Sequence, residues 1–205
     1  MKFYREMPNQ NKYTFGFTAA SLRLNDFVKV AKIRLEGRAI DHVNMLGGGK
    51  SATGERMLAE YNKRLSTLTD KQLEILSDGN LTSQRQIAFL SVCKTNAFIR
   101  DFTVEVIREK FMLFDYNLSD GDYLSFFRRK FDLHPELEKI TDKTTYKIKQ
   151  VTFKILEEAG IIDSIKTRII QPQLIEKSVM EAIAKDNKEW LKVLLVSDYD
   201  IKNIN

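Results

Sequence analysis

The stretch from Ser119 to Gln173 limits what this 205-residue chain can fold into more than any other. Ser119 with Asp122 has the spacing of a capping box, although Asp is shorter than the usual Glu or Gln. It opens a helix through Tyr123, Leu124, Phe127 and Phe131. Pro135 suits the first turn of a short second helix. Thr141 or Asp142 caps a third, from about Lys143 to Glu158, and Ala159-Gly160 ends it with glycine at C′. Ile161-Ile162 and Ile169-Ile170 flank Asp163 to Arg168, the length of a two-stranded wing, and Pro172 closes the unit. Helix, short helix, helix and hairpin is the order of a winged helix-turn-helix.

The third helix carries the functional signal. At 100° per residue, Ile148, Val151, Thr152, Ile155 and Leu156 share one face, which must be buried. Lys143, Lys147, Gln150 and Lys154 share a neighbouring face, with no acid between Lys143 and Lys154. An apolar side towards a helical core and a Lys/Gln side towards solvent is what DNA-groove or backbone binding needs. Lysines supply charge to phosphates, and Gln150 can read a base edge. In the hairpin, Lys166 and Arg168 are the candidate DNA contacts. The plainer alternative is a lysine face that only keeps a surface helix solvated.

Composition narrows the class. With 43% hydrophobic and 30% charged residues the chain is globular, and only 9 Gly and 3 Pro favour helix over loop. A single Cys93 excludes an internal disulfide and a cysteine-based metal site. No signal-peptide h-region opens the chain, and no apolar run nears the ~20 residues a membrane helix needs. These features predict a soluble, cytoplasmic protein with no membrane partner. The net charge is +5, and residues 1–68 hold twelve Lys/Arg against six Asp/Glu, a local +6. Such an excess is an electrostatic footprint for phosphate.

The N-terminal segment alternates Tyr13, Phe15 and Phe17 with Thr14 and Gly16, which predicts a short strand or an extended arm packed on the body. Lys2, Arg5 and Lys12 would let such an arm touch DNA. Asn25 or Asp26 caps a helix that stops at Gly37. A short helix from Arg38 to Met45 and a longer one from about Thr53 to Thr67 follow, the latter with Met57, Leu58, Tyr61, Leu65 and Leu68 inward. That order is again compatible with helix-turn-helix packing, with Lys50, Arg56 and Lys63 as a second candidate DNA-binding patch. Thr69 with Gln72 and Ser83 with Gln86 have capping-box spacing. The helix from Ser83 is strongly apolar and continues to Leu113, with a kink expected near Arg100-Asp101. Leu174 to Ala184 and Trp190 to Val196 read as helices, and Asp198 to Asn205 as a loose tail.

Catalytic signals are sparse. Gly47-Gly48-Gly49-Lys50-Ser51 resembles a phosphate loop, but a Walker A motif needs a glycine where Asn44 stands, and a strand before it. His42 and His134 have no metal-ligand spacing. Asp120/Asp122 is better explained as negative charge at a helix N-terminus. The expectation is a non-enzymatic protein with no cofactor and no metal.

Several segments, spread across nearly the whole chain, carry a family resemblance. They are Tyr13-Thr14-Phe15-Gly16-Phe17-Thr18, Ser51-Ala52-Thr53-Gly54-Glu55-Arg56 leading to Lys63-Arg64-Leu65, and Val104 to Lys110. The most specific runs from Lys147-Ile148-Lys149-Gln150-Val151-Thr152 to Gly160, with Ile170-Gln171-Pro172 after it. Together they resemble the BrxA family of BREX phage-resistance systems, and none is a catalytic motif. The resemblance implies an accessory, non-enzymatic defence protein that binds double-stranded DNA, with other BREX components as candidate partners. The family has also been likened to NusB-type RNA-binding antiterminators, which keeps RNA as a rival ligand, and a protein-interaction adaptor is the other alternative. The expected fold is all-α: an N-terminal basic helical domain over residues 1–82, helix-turn-helix-like, a central helical spine over 83–118 and a winged-helix-like C-terminal domain over 119–205.

Overall fold

The computed structural model describes residues 12–204. The expected contacts of Lys2 and Arg5 lie outside the described residues. The fold is all-α, and the only extended pairing among the described residues is two isolated antiparallel bridges.

Helix α1 (Leu24–Leu35) opens at Arg23, before the expected caps Asn25 and Asp26. Arg23 has left-handed backbone, φ 42°, and its guanidinium pairs with Asp26 at 2.6 Å. Asp26 thus lies in the first turn, where its charge suits the helix dipole. Helix α2 (His42–Met45) is a single turn capped by Asp41, shorter than expected because residues 38–41 are not helical. Helix α3 (Ser51–Leu65) buries Met57, Tyr61 and Leu65. It lies so close to α2 that a Cβ on Gly54 would meet the His42 carbonyl oxygen at 2.1 Å. In an open helix Gly→Ala stabilises by about 1 kcal/mol. Here Gly54→Ala should instead destabilise by roughly 1–3 kcal/mol, since backbone must move. Denaturant midpoints give the sign, and a stabilised variant would deny the contact.

Thr69 and Gln72 form the expected capping box of α4 (Asp70–Asp78). Helix α5 (Leu81–Thr95) starts earlier than Ser83 because Asn80 is the cap and accepts from the Ser83 amide at 2.9 Å. Gln86 instead donates to the Leu174 carbonyl. The spine then breaks at Asn96, not at Arg100-Asp101. Asn96 is extended (φ −126°, ψ 97°), and its side-chain amide donates to Val92 O and Glu60 Oε1. Arg100 and Asp101 stay helical and pair with each other at 2.8 Å. After α6 (Ala97–Phe102) comes a π-helical turn, Thr103–Arg108, and then α7 (Glu109–Met112).

Helix α8 (Asp120–Phe131) has the full Ser119/Asp122 capping box. It buries Tyr123, Phe126 and Lys130, while Leu124 and Phe131 stay exposed. A 3₁₀ turn (Pro135–Lys139) leads to α9 (Asp142–Glu158), capped by Thr141. Gly160 at φ +71° ends it in the left-handed region. Ile162 bridges Ile170 where the hairpin is expected, and Asn117, before α8, bridges Ile169. Helix α10 (Lys177–Asn187), a 3₁₀ segment (Lys188–Leu194) and α11 (Asp198–Asn203) complete the chain. The expected loose tail is therefore a helix. Ser197 caps it, Ile201 is buried, and Asp198 reaches Arg108 at 3.0 Å.

The buried side chains form one hydrophobic cluster from Tyr13 to Ile201. Phe98 on α6 is its junction. It meets Tyr13, Phe15 and Phe17 of the N-terminal arm and Tyr123, Phe126 and Phe127 of α8, at centroid distances of 5.3–6.4 Å.

Candidate nucleic-acid interface

The arm settles where the basic faces of α3 and α9 lie. Its alternating aromatics do not form a strand, because Gly16–Ala19 coils into a 3₁₀ turn. Tyr13 anchors one end. Its ring stacks on His134 at 3.7 Å and its hydroxyl donates to Asp101 at 2.8 Å. Burial, reinforced by the Asp101 charge, pushes the Tyr13 phenol well above its ordinary value. Arg64 of α3 clamps the other end. It is fully buried and donates to the Ala20 and Ser21 carbonyls at 2.6 and 2.8 Å and to Glu60 at 3.0 Å. The arm thus lies against α3 on one side and α9 on the other.

Above this floor runs a cleft. A 670 Å³ section is lined by Thr14, Thr18 and Ala19 of the arm, Arg56 and Lys63 of α3, and Lys147 of α9. A 330 Å³ section continues it past Arg23, Lys147, Gln150 and Lys154 to Ile165 in the hairpin. Thr18, Ala19 and Lys147 line both, so the two sections join. Two sequence-distant patches therefore face one space. Among the described residues the only carboxylate lining either section is Glu60, buried and neutralised by Arg64.

The cations differ in how free they are. Arg56 and Lys63 are exposed and have no ion-pair partner among the described residues; Arg56 bonds the Ala52 carbonyl and Lys63 approaches Thr14 Oγ1 at 3.5 Å. Lys147 is exposed and donates to Gln150 Oε1 at 3.3 Å. Lys154 is engaged, 2.7 Å from Glu157 and 3.9 Å from Glu158. The Glu157 bond raises the Lys154 pKa, and the same bond lowers that of Glu157. Lys50 at the N-cap of α3 and Lys143 in the first turn of α9 are exposed but do not line the cleft. Lys166 is exposed in the hairpin. Arg168 is bound inward: its guanidinium pairs with Asp120 at 2.5 Å and lies 4.2 Å above the Phe153 ring. Asp120 also pairs with Lys149, and the Lys149 and Arg168 bonds hold its carboxyl below the usual range.

Sequence reasoning missed Arg23, which has no place in a helical period, and the Thr14 and Thr18 hydroxyls. Their signal lies in the fold of the arm. The Gly47 to Lys50 turn follows the single helical turn α2 rather than a strand. Among the described residues no cluster of His, Cys, Asp or Glu could hold a metal ion, and no helix is long and apolar enough to cross a membrane.

Comparison with known proteins matches these residues to one family. Its model, BrxA, covers residues 11–187. Three relatives carry the name BREX protein BrxA. The Bacillus cereus protein is 34% identical over 121 residues, 58% of this chain and 60% of its own. The Paramagnetospirillum magneticum protein is 24% identical over 88% of this chain and 94% of its own. The Escherichia coli O9:H4 protein is 26% identical over 62% of this chain. The match to the Bacillus and Escherichia relatives spans about 60% of their length. The fold is similar to a crystal structure of an uncharacterized protein from Magnetospirillum magneticum, with TM-score 0.75 over 90% of this chain and 98% of that one, at 21% identity. With a family match across residues 11–187, the chain belongs to the BrxA family.

Proposed function

We propose that the cleft between α3 and α9 binds the sugar-phosphate backbone of double-stranded DNA, as a non-enzymatic component of a BREX system. Family membership supports the role in phage defence. The observation that carries DNA binding is the convergence of Arg56 and Lys63 with Lys147, Gln150 and Lys154 on one cleft that, among the described residues, is lined by a single, neutralised acid. Lysine and arginine contacts position a duplex, and Gln150 is the amide side chain there, with a donor and an acceptor to offer a base edge. Lys50, Lys143 and Lys166 flank the cleft as outer phosphate contacts. Arg168 serves by holding the hairpin on Asp120 and Phe153.

Affinity for duplex DNA, duplex RNA and single-stranded DNA, measured over a salt series, tests this. Each neutralised phosphate contributes about −0.9 to the slope of log affinity against log salt on duplex DNA. With Arg23 held by Asp26, the other four cleft cations, Arg56, Lys63, Lys147 and Lys154, predict a slope of roughly −3 to −4. Preference for duplex RNA would favour the RNA-binding reading, and no salt-dependent binding to any nucleic acid the adaptor reading.

A further inference from the structure

A second cleft, of 520 Å³, lies on the outer face of α10. Its floor is apolar, formed by Met180 and Ala184 with Ile204 from the segment after α11. Its rim is basic: Lys177, Lys185 and Lys188. The one acid there, Glu181, is 3.9 Å from Lys177, while Lys185 and Lys188 have no ion-pair partner among the described residues. This asymmetry is local to the cleft, because residues 172–205 hold five lysines against six acids. The other acids of the segment are occupied elsewhere. Glu176 accepts from Asn80, Asp186 pairs with Lys94 at 2.5 Å and Glu189 with Lys192 at 2.5 Å. Asp198 pairs with Arg108 at 3.0 Å, and Asp200 caps α11 with Ser197. Folding has turned every acid of the segment except Glu181 away and left lysines around an apolar trough.

We propose that this trough docks an acidic segment of a partner protein, one that alternates carboxylates with large apolar side chains. Carboxylates would meet Lys185 and Lys188, and an apolar side chain would fill the floor. Met180 suits such a contact because its unbranched thioether adapts to the shape it meets. Phosphate backbone fits less well, since it has charge for the rim but no apolar group for the floor. The trough is formed by different elements from the α3–α9 cleft, so this inference stands or falls apart from DNA binding.

The test uses the full chain carrying ¹³C-methyl methionine, with the Met180 resonance assigned by Met180→Leu. The probes are a Glu/Leu peptide with leucines at helical i, i+4 spacing, its Gln/Leu counterpart, polyglutamate and a DNA duplex. The Glu/Leu peptide should shift the Met180 methyl at least about tenfold more tightly than the Gln/Leu peptide or polyglutamate, because apolar fill and charge are both needed. Lys185→Glu with Lys188→Glu should weaken that binding about tenfold or more, with duplex affinity within about threefold of the parent. A Met180 shift with duplex DNA and none with the peptide would make the trough a nucleic-acid contact and overturn the proposal. So would a Met180 shift that follows protein concentration alone, which would mark a second copy as the occupant. Silence with every probe, or equal binding of the Glu and Gln peptides, would also overturn it.

Discussion

Lys63→Glu combined with Lys147→Glu should lower duplex DNA affinity at least about a hundredfold. The two lysines line one cleft from opposite walls, α3 and α9. A hydrogen bond to a charged group contributes about 1.5–3 kcal/mol, and 1.4 kcal/mol is tenfold in affinity. Two lost phosphate contacts therefore give about a hundredfold before repulsion is added. Lys63 is the better partner for Lys147 than Lys154, because Lys154 already shares its ammonium with Glu157 and Glu158. The salt slope should flatten by about 1.8, two contacts at about 0.9 each. Both side chains are exposed, so the melting free energy should move by only about ±0.5 kcal/mol. Lys185→Glu with Lys188→Glu changes the net charge equally on residues that do not line the cleft, which separates a local contact from a general loss of positive charge. Equal losses in the two double variants, or wild-type binding by the cleft variant, would remove the cleft from consideration.

Each basic face was legible in the sequence, and their meeting was not. Helix α9 carries its own punctuation: Thr141 caps it, Gly160 stops it, and Ile148, Val151, Ile155 and Leu156 define its buried side. These signals act within a few residues, as does the Ser119/Asp122 box. The cleft depends instead on contacts across most of the chain. Tyr13 stacks on His134, and Arg23 N donates to Glu158 at 3.0 Å. Nothing in an alternating aromatic arm tells which helix receives it. The break at Asn96 has the same origin, since its amide is held by Glu60 on another helix. The terminal helix was missed because its acids read as a polar tail; Asp198 is instead one of two carboxylates that meet the buried Arg108, beside Glu109. Buried arginines hide best from a sequence reading. Charge marks them as surface residues, yet Arg64 and Arg108 are both buried.

Arg64→Ala should be among the most destabilising single substitutions, by about 3–5 kcal/mol. The guanidinium is fully buried, and its partners are Glu60 and the Ala20 and Ser21 carbonyls. Truncation would strand the Glu60 charge, itself 5% exposed, and leave two carbonyls without donors. For a chain of this size the melting temperature should fall by roughly 6–20 °C. Arg64→Lys should recover only part of this, because an ammonium cannot reproduce a planar fork aimed at three oxygens. Removing the acid too, as Arg64→Met with Glu60→Leu, should restore stability beyond Arg64→Ala, since no charge is then buried unpaired. The carbonyls would remain unsatisfied, so the arm should loosen even there. Ala20 and Ser21 line the cleft beside Lys147 and Gln150, so duplex affinity should fall in the double variant although it folds. A double variant that melts higher than Arg64→Ala but binds duplex like the parent would separate the clamp from the cleft. Arg64→Ala melting within about 1 kcal/mol of the parent would show that the clamp contributes little to the fold.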